Sequence, residues 1–97
     1  MLAILGNYAV MLAMNSKHRK TLDAIFANPV NGNLEWTRIE ALLFAVGCQV
    51  LESGGSGVTF AMAGRKATFH RPHPGTAALQ YRVKLAREFL TQLGITP

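Results

Sequence analysis

The sequence has a single cysteine, few acidic residues and no apolar run long enough to cross a membrane. One cysteine excludes a disulfide bond within the chain and fits a reducing compartment. A membrane-spanning helix needs roughly 20 consecutive apolar residues, and the apolar start of this chain is shorter than that. This start also lacks the leading positive charge of a secretory signal. We therefore expect a cytoplasmic protein with no membrane partner.

The apolar start is expected to lie outside the functional domain. Met14 opens the polar, well-patterned part of the chain, so we expect the natural protein to begin there and residues 1–13 to be an extension that it lacks. A short anchoring or packing helix is the alternative for this segment. Residues 14–97 are then expected to form one domain, because the chain is at or below the usual size of a single domain.

Acidic residues are absent from Ser53 to Arg87, whereas the whole chain carries a net charge of +5. This acid-free stretch contains six cationic residues: Arg65, Lys66, Arg71, Arg82, Lys84 and Arg87. An uncompensated basic stretch favours an anionic partner, with nucleic acid ahead of an anionic membrane surface. A merely solvated basic surface is the alternative.

Motifs for metal, phosphate and nucleophile chemistry are lacking as well. His70 and His73, even with Cys48, do not supply the four ligands of a structural zinc site, and we read Cys48 as a small core residue. The Gly/Ser run at 53–57 is not followed by the Lys-Ser/Thr of a phosphate-binding loop. No G-x-S-x-G turn enters a helix. We expect no metal and no cofactor.

The apolar pattern predicts two helices, three short strands and a final helix. Ser16 and Asn33 are predicted to cap the first two helices, which end near Ala27 and Val46. Beyond Gly47 the period changes from helical to strand-like. Strands are predicted at 48–52, 58–62 and 66–69, and a last helix at 76–93 with the apolar stripe Leu79, Val83, Ala86, Leu90 and Leu93.

These elements indicate an α+β fold in which a three-stranded antiparallel meander packs against helices. From the second helix onward, the order α-β-β-β-α is that of the double-stranded-RNA-binding fold. The first helix is then an extra N-terminal element.

The ordered set of motifs resembles that of the HicA family, from about Met14 to Pro97. In sequence order the set is Ile39-Glu40-Ala41-Leu42-Leu43, Gly47, Gly55-Ser56, His73-Pro74-Gly75 and Leu93-Gly94-Ile95. HicA proteins are the toxins of bacterial toxin–antitoxin pairs. The resemblance implies a fold like the double-stranded-RNA-binding domain, cleavage of mRNA without a metal (an mRNA interferase) and neutralisation by a HicB-type antitoxin.

One position departs from the family pattern. Typical members carry Gly-Ser-His at the start of the second strand, and that histidine is taken to be catalytic; this chain has Gly55-Ser56-Gly57. Attack by a ribose 2′-OH needs a base and an acid, which histidine can supply near neutral pH. The remaining candidates are His73, which matches a histidine often found at this place in the family, and His70, which is extra. The alternative is that both only bind backbone or phosphate.

RNA binding is predicted to depend on the cations of the acid-free stretch gathering on one side of the molecule. The predicted phosphate ligands are Arg65, Lys66, Arg71, Lys84 and Arg87, and Ser56 and Gly57 are predicted to let the backbone approach RNA closely. Such a surface would read double-stranded RNA by shape and 2′-OH contacts. Two other functions stay open: an RNA-binding module that no longer cleaves, and a protein-interaction domain for an acidic antitoxin.

Overall fold

The computed structural model describes residues 14–52, 54–73 and 76–97. Within these ranges it has three helices and one three-stranded antiparallel sheet. In chain order the elements are α1 (Ser16–Ile25), α2 (Trp36–Ala45), β1 (Gln49–Glu52), β2 (Gly57–Met62), β3 (Arg65–His70) and α3 (Gln80–Gln92). The predicted α+β class and meander are confirmed. The prediction for residues 1–13 lies outside the described residues.

Helix α1 begins at Ser16, one residue earlier than predicted, and its cap is Asn15. The Asn15 side chain accepts a hydrogen bond of 2.8 Å from the backbone N–H of His18, which otherwise has no partner in the first turn. Asparagine is among the best residues at this position. The prediction of Ser16 as the cap is therefore wrong by one residue.

Helices α2 and α3 both begin later than predicted, because extended segments before them pair with each other. Ala78 N–H donates to Leu34 O at 2.7 Å, and Trp36 N–H donates to Thr76 O at 3.3 Å. The backbone of these two segments is thus used in tertiary hydrogen bonds. The sequence had suggested that Asn33 and Thr76 cap these helices, and that prediction is wrong. The residues at the N-cap positions are Glu35 and Leu79.

The sheet has one face toward the helices and one face away from them. Side chains alternate between faces along a strand, and Val58, Phe60, Ala67 and Phe69 on the inner face are buried. The centroid of the Phe69 ring lies 5.0 Å from the ring centroid of Trp36 in α2 and 6.0 Å from the ring centroid of Phe60. Helix α3 also packs on β3, and α1 packs on α2 and α3. The hydrophobic core therefore lies between the sheet and the helices.

The last helix buries the predicted stripe except at its start. Val83, Ala86 and Leu90 are buried, whereas Leu79 is 57% exposed because it precedes the first turn of α3. None of the helices within the described ranges is both long enough and apolar enough to span a membrane.

Candidate nucleic-acid interface

The outer face of the sheet carries hydroxyl and basic side chains on β2 and β3, and Gln49 and the exposed Leu51 on β1. The β2–β3 register places Thr59 opposite Thr68 and Ala61 opposite Lys66. The hydroxyls of Thr59 and Thr68 are 2.8 Å apart and hydrogen-bonded across the strands. Alternation then puts Lys66, Thr68 and His70 in one row, at steps of roughly 6.6 Å, and all three are exposed.

This outer face has no carboxylate on any of its strands, all of which the structure describes. The one acidic residue in the strands, Glu52, lies opposite Val58, whose side chain is buried on the inner face. Uncompensated positive charge beside hydroxyl groups is suited to phosphate and ribose oxygens. The outer face therefore has the chemistry of an anion-binding surface.

The Gly/Ser segment before β2 and the histidine segment after β3 are adjacent in the structure. Gly57 lies opposite His70 at the end of the β2–β3 ladder, and Arg71 N–H donates to Ser56 O at 2.9 Å. Next to this hydrogen bond is a surface pocket of about 540 Å³ lined by Ser56, Arg71, Pro72 and His73. Gly57 itself is buried, so direct contact with a ligand at this end is left to Ser56, which is exposed.

Both candidate histidines belong to this end of the sheet and are exposed. His70 is the last residue of β3, and His73 lines the pocket beside Ser56. Their backbone oxygens are occupied: His70 O accepts from Arg82 Nε at 2.8 Å and His73 O from Thr76 N–H at 3.0 Å. Neither imidazole hydrogen-bonds any of the described residues, so both rings can serve a ligand.

Arg71, a predicted phosphate ligand, is paired with two carboxylates. Its Nη2 lies 2.6 Å from Glu40 Oε2 and its Nη1 lies 2.9 Å from Glu52 Oε2. Nε and Nη2 complete the pairing with Glu40 and Glu52, and Trp36 Nε1–H donates to Glu40 Oε1 at 2.7 Å. With its charge compensated in this way, Arg71 connects the loop after β3 to α2 and β1 and adds no net positive charge.

The same contacts shift the pKa values of Glu52 and Arg71. Hydrogen bonding from Arg71 lowers the pKa of Glu52 below its ordinary value. Donating to the carboxylates of Glu52 and Glu40 raises the pKa of Arg71, which therefore stays charged at any physiological pH.

Arg87, another predicted phosphate ligand, donates hydrogen bonds to the end of α1 and the residues after it. Its Nε and Nη2 donate to Ile25 O at 2.9 Å and Ala27 O at 2.8 Å, and its Nη1 donates to Asn28 Oδ1 at 3.1 Å. The carbonyls at the end of a helix lack partners within the helix and carry partial negative charge. Arg87 therefore caps the C-terminal end of α1.

The remaining predicted cations do not form one cluster. Arg65 begins β3 and lies opposite Met62, at the other end of the strand from His70; that separation is ~17 Å along the strand. Lys66 is on the outer face, and Lys84 is exposed on α3. Strand alternation directs Arg65 and Lys66 to opposite faces of β3, and Arg71 and Arg87 are bound within the fold. The expectation that the cations of the acid-free stretch gather on one side is therefore wrong. Lys66, together with the unpredicted Thr59 and Thr68, defines the outer face.

Cys48 is buried in the core, as predicted, and burial raises the pKa of its thiol to about 11. A thiol in this environment is protonated near neutral pH and does not act as a nucleophile. Among residues 14–52, 54–73 and 76–97, no three His, Cys, Asp or Glu side chains are grouped so as to hold a metal ion.

Comparison with models of known protein families, with curated proteins and with solved structures found no match. The resemblance to HicA toxins stays a prediction.

Proposed function

We propose that this domain binds RNA through the outer face of its sheet, as the mRNA-binding toxin of a HicA-type toxin–antitoxin pair in the cytoplasm. The observation that supports the proposal most is the outer face itself. Lys66 and His70 flank the hydroxyl of Thr68 in one exposed row, and no carboxylate lies on this face along the three strands.

The arrangement of the elements is consistent with a fold like the double-stranded-RNA-binding domain. Helices α2 and α3 flank the meander in sequence and contact its inner face through Trp36 and the residues packed on β3. The first helix, α1, is then additional to that fold. A fold alone does not specify a function, so this agreement supports the proposal only together with the chemistry of the outer face.

The contacts of the outer face would be to the RNA backbone. Lys66 would neutralise one phosphate, while Thr59 and Thr68 would offer hydroxyls to phosphate oxygens and to ribose 2′-OH groups. Ser56 would extend this surface toward the pocket beside His73. Contacts of this kind position the protein on RNA without reading its sequence.

Metal-independent cleavage is the second candidate function, and the two histidines favour it. His70 and His73 lie at one end of the outer face, with both rings free of hydrogen bonds to described residues. One imidazole could take the proton of the attacking 2′-OH while the other protonates the leaving 5′-oxygen. If neither does so, the domain binds RNA and leaves it intact.

A salt titration of RNA binding tests the first function. The variant Lys66→Ala should weaken binding and reduce the slope of log K against log salt by roughly 0.7–0.9, the value for one lost phosphate contact. The matched control is Lys20→Ala, because Lys20 is an equally exposed lysine on α1, in the helical layer. Equal slopes for wild type, Lys66→Ala and Lys20→Ala would contradict the assignment of the outer face.

A further inference from the structure

One aromatic ring near the candidate interface is exposed although its residue belongs to a packed helix. Tyr81 lies in the first turn of α3 and is 57% exposed. A single exposed apolar side chain is common on protein surfaces and by itself indicates nothing. The contacts of the ring indicate whether it is placed to bind a ligand.

The Tyr81 ring is covered by a cation that β3 holds in place. The guanidinium carbon of Arg82 lies 4.8 Å from the ring centroid, which is within the range of a cation–π contact. Arg82 Nε donates to His70 O at 2.8 Å, so the guanidinium is attached to the last residue of β3. One side of the ring thus contacts a hydrogen-bonded guanidinium, while the residue as a whole is 57% exposed.

The ring is linked to one end of the proposed RNA surface, although its helix packs on the inner side of the sheet. Through Arg82, Tyr81 is connected to the end of β3, where His70 adjoins the pocket of Ser56 and His73. Lys84 follows Tyr81 by three residues, which puts both on the same side of α3, and it is exposed. Glu88 lies one further turn along, so the positive part of this side is its N-terminal end.

We infer that Tyr81 is a stacking platform for an unpaired RNA base, with Arg82 beneath the ring and Lys84 placed to bind a neighbouring phosphate. Aromatic rings bind any base through its π-face, and a nearby arginine adds a cation–π contribution. A base within a duplex has both faces covered by its neighbours. The ligand class is therefore RNA with at least one single-stranded nucleotide, and this inference rests on the proposed RNA-binding function.

The test uses the full chain and two short RNAs that each contain one 2-aminopurine. In the first RNA this fluorescent base is unpaired beside a short duplex, and in the second it is paired. Wild type should quench the unpaired base on binding, because stacking quenches its fluorescence, and should leave the paired one largely unchanged. Tyr81→Ala should lose the quenching and bind the first RNA roughly 5- to 150-fold more weakly, as expected for one stacked base.

Two variants serve as controls. Tyr81→Phe keeps the ring and should keep both the quenching and the affinity, which separates loss of stacking from loss of the phenol hydroxyl. Phe44→Ala removes a comparably exposed ring, 69% accessible, from α2 and should bind like wild type. Circular dichroism of each variant checks that it is folded.

The outcomes distinguish this inference from the function on which it rests. If Tyr81→Ala binds the unpaired RNA as tightly as wild type while Lys66→Ala binds it more weakly, the platform is refuted and RNA binding stands. Equal weakening of the paired and unpaired RNAs by Tyr81→Ala would also refute stacking. If wild type binds neither RNA, the proposed function fails together with the platform.

Discussion

Gly57 of β2 lies directly opposite His70 of β3 at the end of their shared ladder. In the HicA pattern the position of Gly57 holds a histidine, and side chains directly opposite each other have Cβ atoms roughly 4.5–5.5 Å apart. If the chain follows the HicA pattern, His70 on β3 would offer an imidazole directly opposite the position where β2 lacks one. His70 is extra by resemblance to the family, whereas the β2–β3 register places it next to Gly57 on the same face of the sheet.

This relationship predicts that His70 is needed for any cleavage of RNA. His70→Ala and His73→Ala should each lower the rate of cleavage by roughly 10²–10⁴-fold, the usual contribution of a positioned acid or base. RNA affinity should change little in comparison. The measurement is the appearance of 2′,3′-cyclic phosphate ends on a labelled RNA.

The control for this experiment is His18→Ala, which removes an imidazole from α1. Undiminished cleavage in His70→Ala would show that the histidine on β3 is not an acid or base. A complete lack of cyclic ends in wild type would leave RNA binding as the whole function.

Arg71 is predicted to contribute to stability more than to RNA affinity. Glu40→Gln removes the carboxylate that accepts from both Arg71 and Trp36, and leaves part of the guanidinium without a partner. Hydrogen bonds to charged groups contribute more to stability than neutral ones, so the free energy of unfolding should fall by about 1–2 kcal/mol. Urea denaturation measures this, with Glu88→Gln on the exposed side of α3 as the control. A Glu40→Gln variant as stable as wild type would show that the network is not a stabilising one.

The lowered pKa of Glu52 predicts how stability depends on pH. A carboxyl whose pKa is lower in the folded state stabilises the fold above its unfolded-state pKa, and this contribution is lost as pH falls through the folded-state pKa. Wild type should therefore exceed Glu52→Gln in stability at neutral pH, and the difference should vanish in acid. Thermal unfolding at several pH values tests this, and a difference that grows toward low pH would reverse the assigned sign.

Arg87 is predicted to hold α1 in place. Arg87→Ala removes three donors from the end of α1 and should lower the free energy of unfolding by about 1–3 kcal/mol. Arg87→Lys should be intermediate, since it keeps the charge without the forked geometry. Lys84→Ala, on the exposed part of the same helix, should cost little stability. Equal stabilities of Arg87→Ala and Lys84→Ala in urea would contradict the capping role.

Cys48 is predicted to be unreactive in the native protein, because burial raises the pKa of its thiol to about 11. At pH 8 a disulfide reagent such as DTNB should modify it slowly, and quickly once denaturant unfolds the chain. Rapid modification of the native protein at this pH would show that the thiol is accessible and ionised.

Local patterns were sufficient to predict much of this fold. Alternating apolar residues in β2 and β3 identify the inner face of the sheet. Gly47 and Gly94 have positive φ values and directly follow the helix ends predicted at Val46 and Leu93. The starts of α2 and α3 could not be predicted in this way. They depend on pairing between Leu34 and Ala78, which are far apart in sequence.

The candidate site was predictable only in part, for the same reason. The Gly/Ser loop and the histidine loop were both identified, and the structure brings them together. The partners of two arginines were not identified, since Arg71 binds Glu40 across 31 residues and Arg87 binds Ala27 O across 60. A count of charges along the chain includes such arginines among those free to bind RNA, although they already bind groups within the protein.

The pairing of Trp36 with Thr76 has a consequence for His73. His73 follows Arg71 by two residues and precedes Thr76 by three. Arg71 forms an ion pair with Glu40, and Thr76 O accepts a hydrogen bond from Trp36 N–H at the start of α2. Both anchor points lie on α2, so the backbone at His73 is attached to that helix from both sides along the chain. Loss of either attachment would therefore change how His73 is presented to a ligand.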